Sequence, residues 1–194
     1  MIDTTNSTQV LVAIGSSAGG LKALQTFVAS LSTKHQISYI VAQHLLPTHE
    51  SSMVPLLAKH TELNVVSAED DLQIVANTIY VCPANCNIEV NDNQIRLRPP
   101  LAHQKAIPSI NFLLASVAVH FGHQSVGLIL SGVGSDGAQG MKLIKSNGGV
   151  TMVHDPDHAQ YNGMPNAAIA ATEIDHVLTP DSVYSVLVDW LDNT

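Results

Sequence analysis

The chain has 194 residues, 45% hydrophobic and only 12% charged, with sixteen acidic against eight basic side chains and a formal charge of −8. A chain of this length buries roughly 70% of its unfolded surface in one core, and no stretch approaches the ~18 unbroken apolar residues of a membrane helix. The acidic balance supplies no Lys/Arg cluster for nucleic acid, and "MIDTTNSTQ" lacks the basic start of a signal peptide, so the expectation is a soluble, cytoplasmic single domain over residues 1–194 without direct membrane insertion, residues 1–8 being a flexible N-terminal segment.

"VLVAIG" (10–15) is short, β-branched and stops at glycine, after which Leu21, Leu24, Phe27 and Leu31 recur at helical spacing. A strand, a tight loop and a helix are predicted there. "ISYIVAQ" (37–43) reads as a second buried strand, and Met53, Val54, Leu56 and Leu57 mark a helix that begins near Pro55. "LNVVSA" and "TIYVCP" predict two short strands; "NIEVNDNQIRLRP" predicts a hairpin around Asn91, Asp92 and Asn93. A helix is expected from about Pro108 to His120, with Pro108 in its first turn. "SVGLILSG" (125–132) is a further strand, followed by a helix closed by Asn147 and Gly148. "VTMVH" is a strand, "MPNAAIAAT" a helix, "IDHVL" a strand, and "TPDSVYSVLVDWL" a helix capped by its threonine. Alternation of this kind predicts an α/β fold: a mainly parallel, doubly wound sheet flanked by helices, with a small antiparallel hairpin.

In such sheets chemistry gathers at the carboxyl ends of the strands. Ser17 follows the first strand, His44 the second, and Asp136 the strand at 125–131. Gly15, Ser17 and Gly19 satisfy G-x-S-x-G, a turn that presents a serine hydroxyl, whereas the loop matches neither the dinucleotide fingerprint nor the P-loop. Ser17 is therefore preferred to Ser16 as nucleophile. Histidine supplies the base that such a serine needs; His44 is preferred, His49 ranks second, and His154 and His158 compete. Asp136, among Gly132, Gly134, Gly137 and Gly140, provides the carboxylate that orients an imidazole. A plain βα turn is the alternative for the Ser17 loop, and an Asx-turn or helix cap for Asp136.

No cofactor or metal is expected. Cys82 and Cys86 lack further ligands at zinc spacing and read as reduced, partly buried thiols. Pro156 in "VHDPDH" opposes the helical geometry that would aim His154 and His158 at one ion, leaving a polar turn.

On these residues the chain resembles the catalytic domain of bacterial chemotaxis receptor protein-glutamate methylesterases. The likeness runs over about residues 9–190 and is carried by "IGSSAGG" with "LKAL", "VAQHLLPTHESSM", "AEDDLQIVANTIYVCPAN", "PSINFLLASVA", "LILSGVGSDGAQGMKLIKSNGG" and "YNGMPNAAIA". The resemblance implies a Ser17–His44–Asp136 triad, with an oxyanion held by the N–H of Ala18 and one from Val133 or Gly134. It also implies a substrate: glutamate methyl esters on the cytoplasmic helices of chemoreceptors, hydrolysed to glutamate and methanol, with deamidation of receptor glutamines as a related activity. Many relatives carry Thr at the position of Ala18, Met at that of Val133 and His near Asn87; the oxyanion role uses only the backbone of Ala18, so these departures bear on substrate fit. "PAN", "ESSM" and "YNGMP" look closer to the branch fused to a receptor methyltransferase. Typical members place a receiver domain ahead of the esterase; only nine residues precede the first strand here, so no attached receiver is expected. A catalytically degenerate module that binds a receptor or signalling protein is the main alternative, followed by a hydrolase of other esters or amides and by a nucleotide-binding protein.

Overall fold

The structure, a computed structural model, describes residues 9–44 and 52–193. Seven parallel strands form its centre: β1 (Val10–Ser16), β2 (Ile37–Gln43), β3 (Asn64–Ser67), β5 (Thr78–Val81), β8 (Ser125–Ile129), β9 (Val150–His154) and β10 (His176–Leu178), in the order β10-β9-β8-β1-β2-β5-β3. A smaller antiparallel sheet pairs β4 (Leu72–Gln73) and β6 (Asn87–Asn91) with β7 (Gln94–Arg98). β4 was not expected, because two residues show no periodicity; it adds an edge to the predicted hairpin.

The helices are α1 (Gly20–Ala29), α2 (Met53–Ala58), α3 (Ile110–Phe121), α4 (Ala138–Ser146), α5 (Gly163–Ala171) and α6 (Val183–Asp192). Side chains alternate across each strand, so β1 feeds two cores. Val10, Val12 and Ile14 pack with Leu24 and Phe27 of α1, Leu57 of α2 and Leu187 of α6. Leu11 and Ala13 face the other way, among Ile110 and Leu114 of α3, Met141 of α4 and Met164 of α5. Burial on both faces is why the sequence of β1 reads as an unbroken apolar run. Among the described residues no helix is long and apolar enough to cross a membrane.

Two helix starts differ from expectation. Pro108 precedes α3 rather than joining its first turn: Ser109 is extended, and its hydroxyl accepts the N–H of Phe112, which makes it the cap. The last helix begins at Val183, because Thr179–Ser182 closes as a separate turn, with the Ser182 N–H donating to the Thr179 carbonyl at 3.0 Å. Both segments have a hydroxyl residue beside a proline, and only the hydrogen bond tells which residue caps.

β1 lies between β2 and β8, and the chain leaves it first toward β2 and later returns on its other side at β8. This reversal opens a crevice above the carboxyl ends of the central strands. Close packing beneath the crevice depends on Gly15: a methyl group there would lie 2.3 Å from Ile110 Cγ2 and 3.0 Å from Ile129 Cδ1. Both isoleucines are fully buried and cannot swing aside. Gly15→Ala is expected to lower stability by about 1–3 kcal/mol, the cost of overpacking, measured as a reduced urea midpoint at unchanged slope.

Candidate active site

β1 ends at Ser16, and the chain turns through Ser17–Gly19 into α1. The two adjacent serines meet opposite environments. Ser16 is fully buried and its hydroxyl donates to Gln43 Oε1. Ser17 is half-buried, and its backbone is fixed from several sides: its N–H donates to the Ser131 carbonyl at 3.0 Å, while its own carbonyl accepts from Gly20 N–H at 2.9 Å and Gln43 Nε2 at 2.8 Å. Its hydroxyl makes no hydrogen bond among the described residues.

Parallel pairing brings the histidine alongside. Ser16 of β1 is in register with Gln43 of β2, so the next residues, Ser17 and His44, leave the sheet side by side, and the His44 N–H donates to the Ser16 carbonyl at 3.0 Å. His44 Nε2 lies 3.0 Å from Asp136 Oδ2, both side chains being mostly buried. The predicted His–Asp contact is thus present, and Ser17 stands next to it without a hydrogen bond to His44.

Asp136 arrives from the loop between β8 and α4 and meets the N-terminus of α3. Ile110 N–H donates to its Oδ2 at 2.8 Å and Asn111 N–H to its Oδ1 at 2.9 Å. Burial pushes this carboxyl upward, but the His44 hydrogen bond and the Asn111 and Ile110 N–H groups outweigh it, so its pKa lies below the ordinary carboxylate value. The Asp136 side chain is therefore an anion at neutral pH. A carboxylate at Nε2 requires the ring proton there, which leaves the lone pair of the neutral ring on Nδ1.

A cavity of about 420 Å³ opens beside this pair, lined by His44, Lys105, Ser109, Val133, Gly134 and Asp136. Val133 is 60% exposed at its rim. Ala18 is exposed, and its carbonyl is held by the Ser131 hydroxyl at 2.9 Å. Gly132, just before Val133, is so close that a methyl group on it would lie 2.9 Å from Ser17 Cβ. Of the predicted oxyanion segments, Ala18 follows the serine directly, and Val133 and Gly134 follow Gly132, the residue that approaches it.

The rival histidines sit elsewhere. His154 ends β9, is 6% exposed, and lines a separate cavity with Gly19, Ser131 and Gln160; burial lowers its pKa, and its Nδ1 has no hydrogen-bond partner among the described residues. His158 pairs with Asp155 at 2.9 Å in the turn after β9. His49 lies outside the described residues. Cys82 and Cys86 are free thiols, and burial, aided by Cys86, pushes the Cys82 thiol up to about 12, which leaves it a poor nucleophile. Among the described residues no group of three or more His, Cys, Asp or Glu is placed to hold a metal ion.

Gln43 was missed by sequence reasoning. Its amide accepts from Ser16 and donates to the carbonyls of Ser17 and His44, at 2.8 and 3.1 Å for the two carbonyls, so one side chain ties both loops together. A glutamine closing the apolar run Tyr39, Ile40, Val41, Ala42 was the available signal. Ser131 was also missed; its hydroxyl bridges the Ala18 carbonyl and the Tyr161 N–H.

Known proteins resemble this chain over most of its length. The family described as CheB methylesterase matches residues 12–187. A putative protein-glutamate methylesterase/protein-glutamine glutaminase of Leptospira interrogans is 32% identical over 178 residues, covering 91% of this chain and 92% of that protein. Protein-glutamate methylesterase/protein-glutamine glutaminase 1 of Carboxydothermus hydrogenoformans is 32% identical over 174 residues; the chain spans about half of it, 51%. The crystal structure of the Thermotoga maritima CheB methylesterase catalytic domain matches with a TM-score of 0.87 at 25% identity, covering 94% of this chain and 98% of that one. The sheet, the crevice and these matches lead to one conclusion: the chain belongs to the CheB methylesterase family.

Proposed function

We propose that this chain is a serine esterase that removes methyl groups from glutamate side chains of chemoreceptor-type signalling proteins, releasing methanol, and that it deamidates receptor glutamines by the same chemistry. Ser17 is the nucleophile, His44 the general base and Asp136 the orienting carboxylate. Nδ1 of His44, the nitrogen not engaged by Asp136, takes the Ser17 proton as Oγ attacks the ester carbonyl. The tetrahedral oxyanion is held by the N–H of Ala18 and one from Val133 or Gly134, backbone donors of the kind that stabilise developing negative charge. Collapse expels methanol, which takes the proton from His44 and leaves an acyl-Ser17. Water then gives a proton to His44 and attacks the acyl carbon; Ser17 leaves with that proton, and glutamate is released. With glutamine, ammonia replaces methanol. The substrate helices are cytoplasmic in the family this chain resembles, and the enzyme is placed there with them.

The observation that carries this reading is the 3.0 Å His44–Asp136 contact at the strand register next to Ser17, in a chain matched by the methylesterase family over residues 12–187. A degenerate binding module has no use for a buried carboxylate aimed at an imidazole beside a serine whose hydroxyl makes no hydrogen bond among the described residues. The test is to incubate receptor membranes carrying labelled methyl esters with the chain and collect volatile methanol. Release proportional to enzyme is expected. If no methanol is released while a small carboxylic ester is cleaved, the receptor substrate is wrong; if neither is cleaved, the catalytic reading is lost.

A further inference from the structure

We propose that Asn111 is a positioning residue for the esterase reaction: its side chain caps α4 from outside and so holds the Asp136 loop against His44. The inference rests on the role given above to Asp136.

The N-cap of α4 is Gly137, whose φ of 100° is in the left-handed region and which offers no capping side chain. A side chain there is also blocked, because its Cβ would lie 2.5 Å from Ile129 Cδ1. A capping residue would normally accept the N–H of the third helical residue. That residue is Gly140, and its N–H donates to Asn111 Oδ1 at 2.9 Å; the same oxygen accepts Gly137 N–H at 3.0 Å. One residue of α3 therefore does the work of a missing cap on α4.

The arrangement is reciprocal. Asp136, from the α4 side, accepts the Ile110 and Asn111 N–H groups at the start of α3, and the next N–H, of Phe112, goes to Ser109 Oγ. Each helix start is thus closed by a side chain from the other, and both closures converge on residues 136 and 137. Close contact of the helices reinforces the lock, since a methyl on Gly140 would lie 2.5 Å from Leu114 Cβ. Loss of Asn111 Oδ1 would orphan two N–H groups and release the segment next to the Asp136 carboxylate. His44 and Lys105 are the other ionisable groups lining the cavity that Asp136 faces.

Asn111→Ala is expected to lower kcat by about 10- to 100-fold, the consequence of a misplacement on the order of 1 Å, with KM nearly unchanged. Asn111→Asp keeps an acceptor, and a carboxylate at a helix N-terminus is favoured, so it should recover most of the lost kcat above neutral pH. The second readout is a carbon NMR titration of the Asp136 carboxyl, which needs no substrate. In Asn111→Ala it should move up from its lowered parent position as the α3 N–H groups lose their hold. Should the alanine variant not fold, Asn111→Gln, whose acceptor lies one carbon farther out, takes its place in both readouts. Parental kcat in Asn111→Ala, an unmoved Asp136 titration, or an aspartate variant as impaired as the alanine one overturns the proposal; a purely structural role would lower the melting temperature and leave kcat and titration alone. If the parent chain releases no methanol, the functional reading fails by itself, and the titration still decides whether Asn111 holds Asp136.

Discussion

Ser17→Ala is expected to reduce methanol release by a factor on the order of 10⁶, the loss seen when a serine nucleophile is removed from an otherwise intact triad. The argument is chemical. His44, oriented by Asp136, can take a proton only from a group placed to attack the ester, and a methyl group supplies neither nucleophile nor proton. What survives is binding and the oxyanion donors, and these alone give slow hydrolysis by adventitious water. The fold should not change. Ser17 Oγ makes no hydrogen bond among the described residues, whereas the bonds that fix the loop are all from backbone atoms at position 17. Unfolding free energy should therefore stay within about 0.5 kcal/mol of the parent, as for a surface substitution. Ser16→Ala is the informative contrast: its hydroxyl is buried against Gln43, so that change should cost stability while sparing a folded enzyme's nucleophile. A Ser17→Ala protein that keeps its turnover, or a fluorophosphonate that labels Ser16 instead, would transfer the nucleophile role.

The elements most legible in the sequence were those whose burial leaves a periodic mark. β1, β2, β8 and β9 are apolar runs because both faces of the central sheet are covered, and α1 shows its stripe because only one face is. Residues without such a mark were harder. β4 has two residues. The starts of α3 and α6 depend on which of several hydroxyl groups closes a turn, a choice made by single hydrogen bonds worth about 1 kcal/mol each and not by composition. For the site, the positions of Ser17, His44 and Asp136 follow from one topological rule, that neighbouring parallel strands deliver their carboxyl ends to one edge. The structure brings His44 and Asp136 into contact and sets Ser17 beside them. The residues that hold this group were not legible. Gln43 and Asn111 are ordinary amides in the sequence, and their importance lies in partners 26 and 29 positions away, at Ser17 and Gly140. Such long-range pairings leave no local pattern.

Asp136→Asn should lower turnover by about 10⁴-fold, because an amide cannot satisfy all that converges on this carboxylate. Three donors meet it: Ile110 N–H and His44 Nε2 at Oδ2, and Asn111 N–H at Oδ1. An asparagine has one oxygen. Turned toward His44, its NH₂ faces the Asn111 N–H; turned the other way, the NH₂ faces Ile110 N–H and His44 Nε2, driving the ring proton onto Nδ1 and removing the lone pair that Ser17 needs. Either way the negative charge that stabilises the imidazolium in the transition state is gone, and the wrong tautomer alone accounts for a loss of this size. The substitution also alters the acid dependence of stability. The Asp136 carboxyl has a folded pKa below its unfolded value of about 3.9, so the ionised side chain contributes stability that is complete above the unfolded pKa and is lost as pH falls through the folded one. The asparagine variant lacks that contribution at every pH, and its unfolding free energy should fall less steeply than the parent's over the same acid range. Urea titrations of both proteins through that range provide the measurement. Parallel curves would mean that Asp136 is not held as an anion by α3 and His44, and turnover within tenfold of the parent would remove it from the triad.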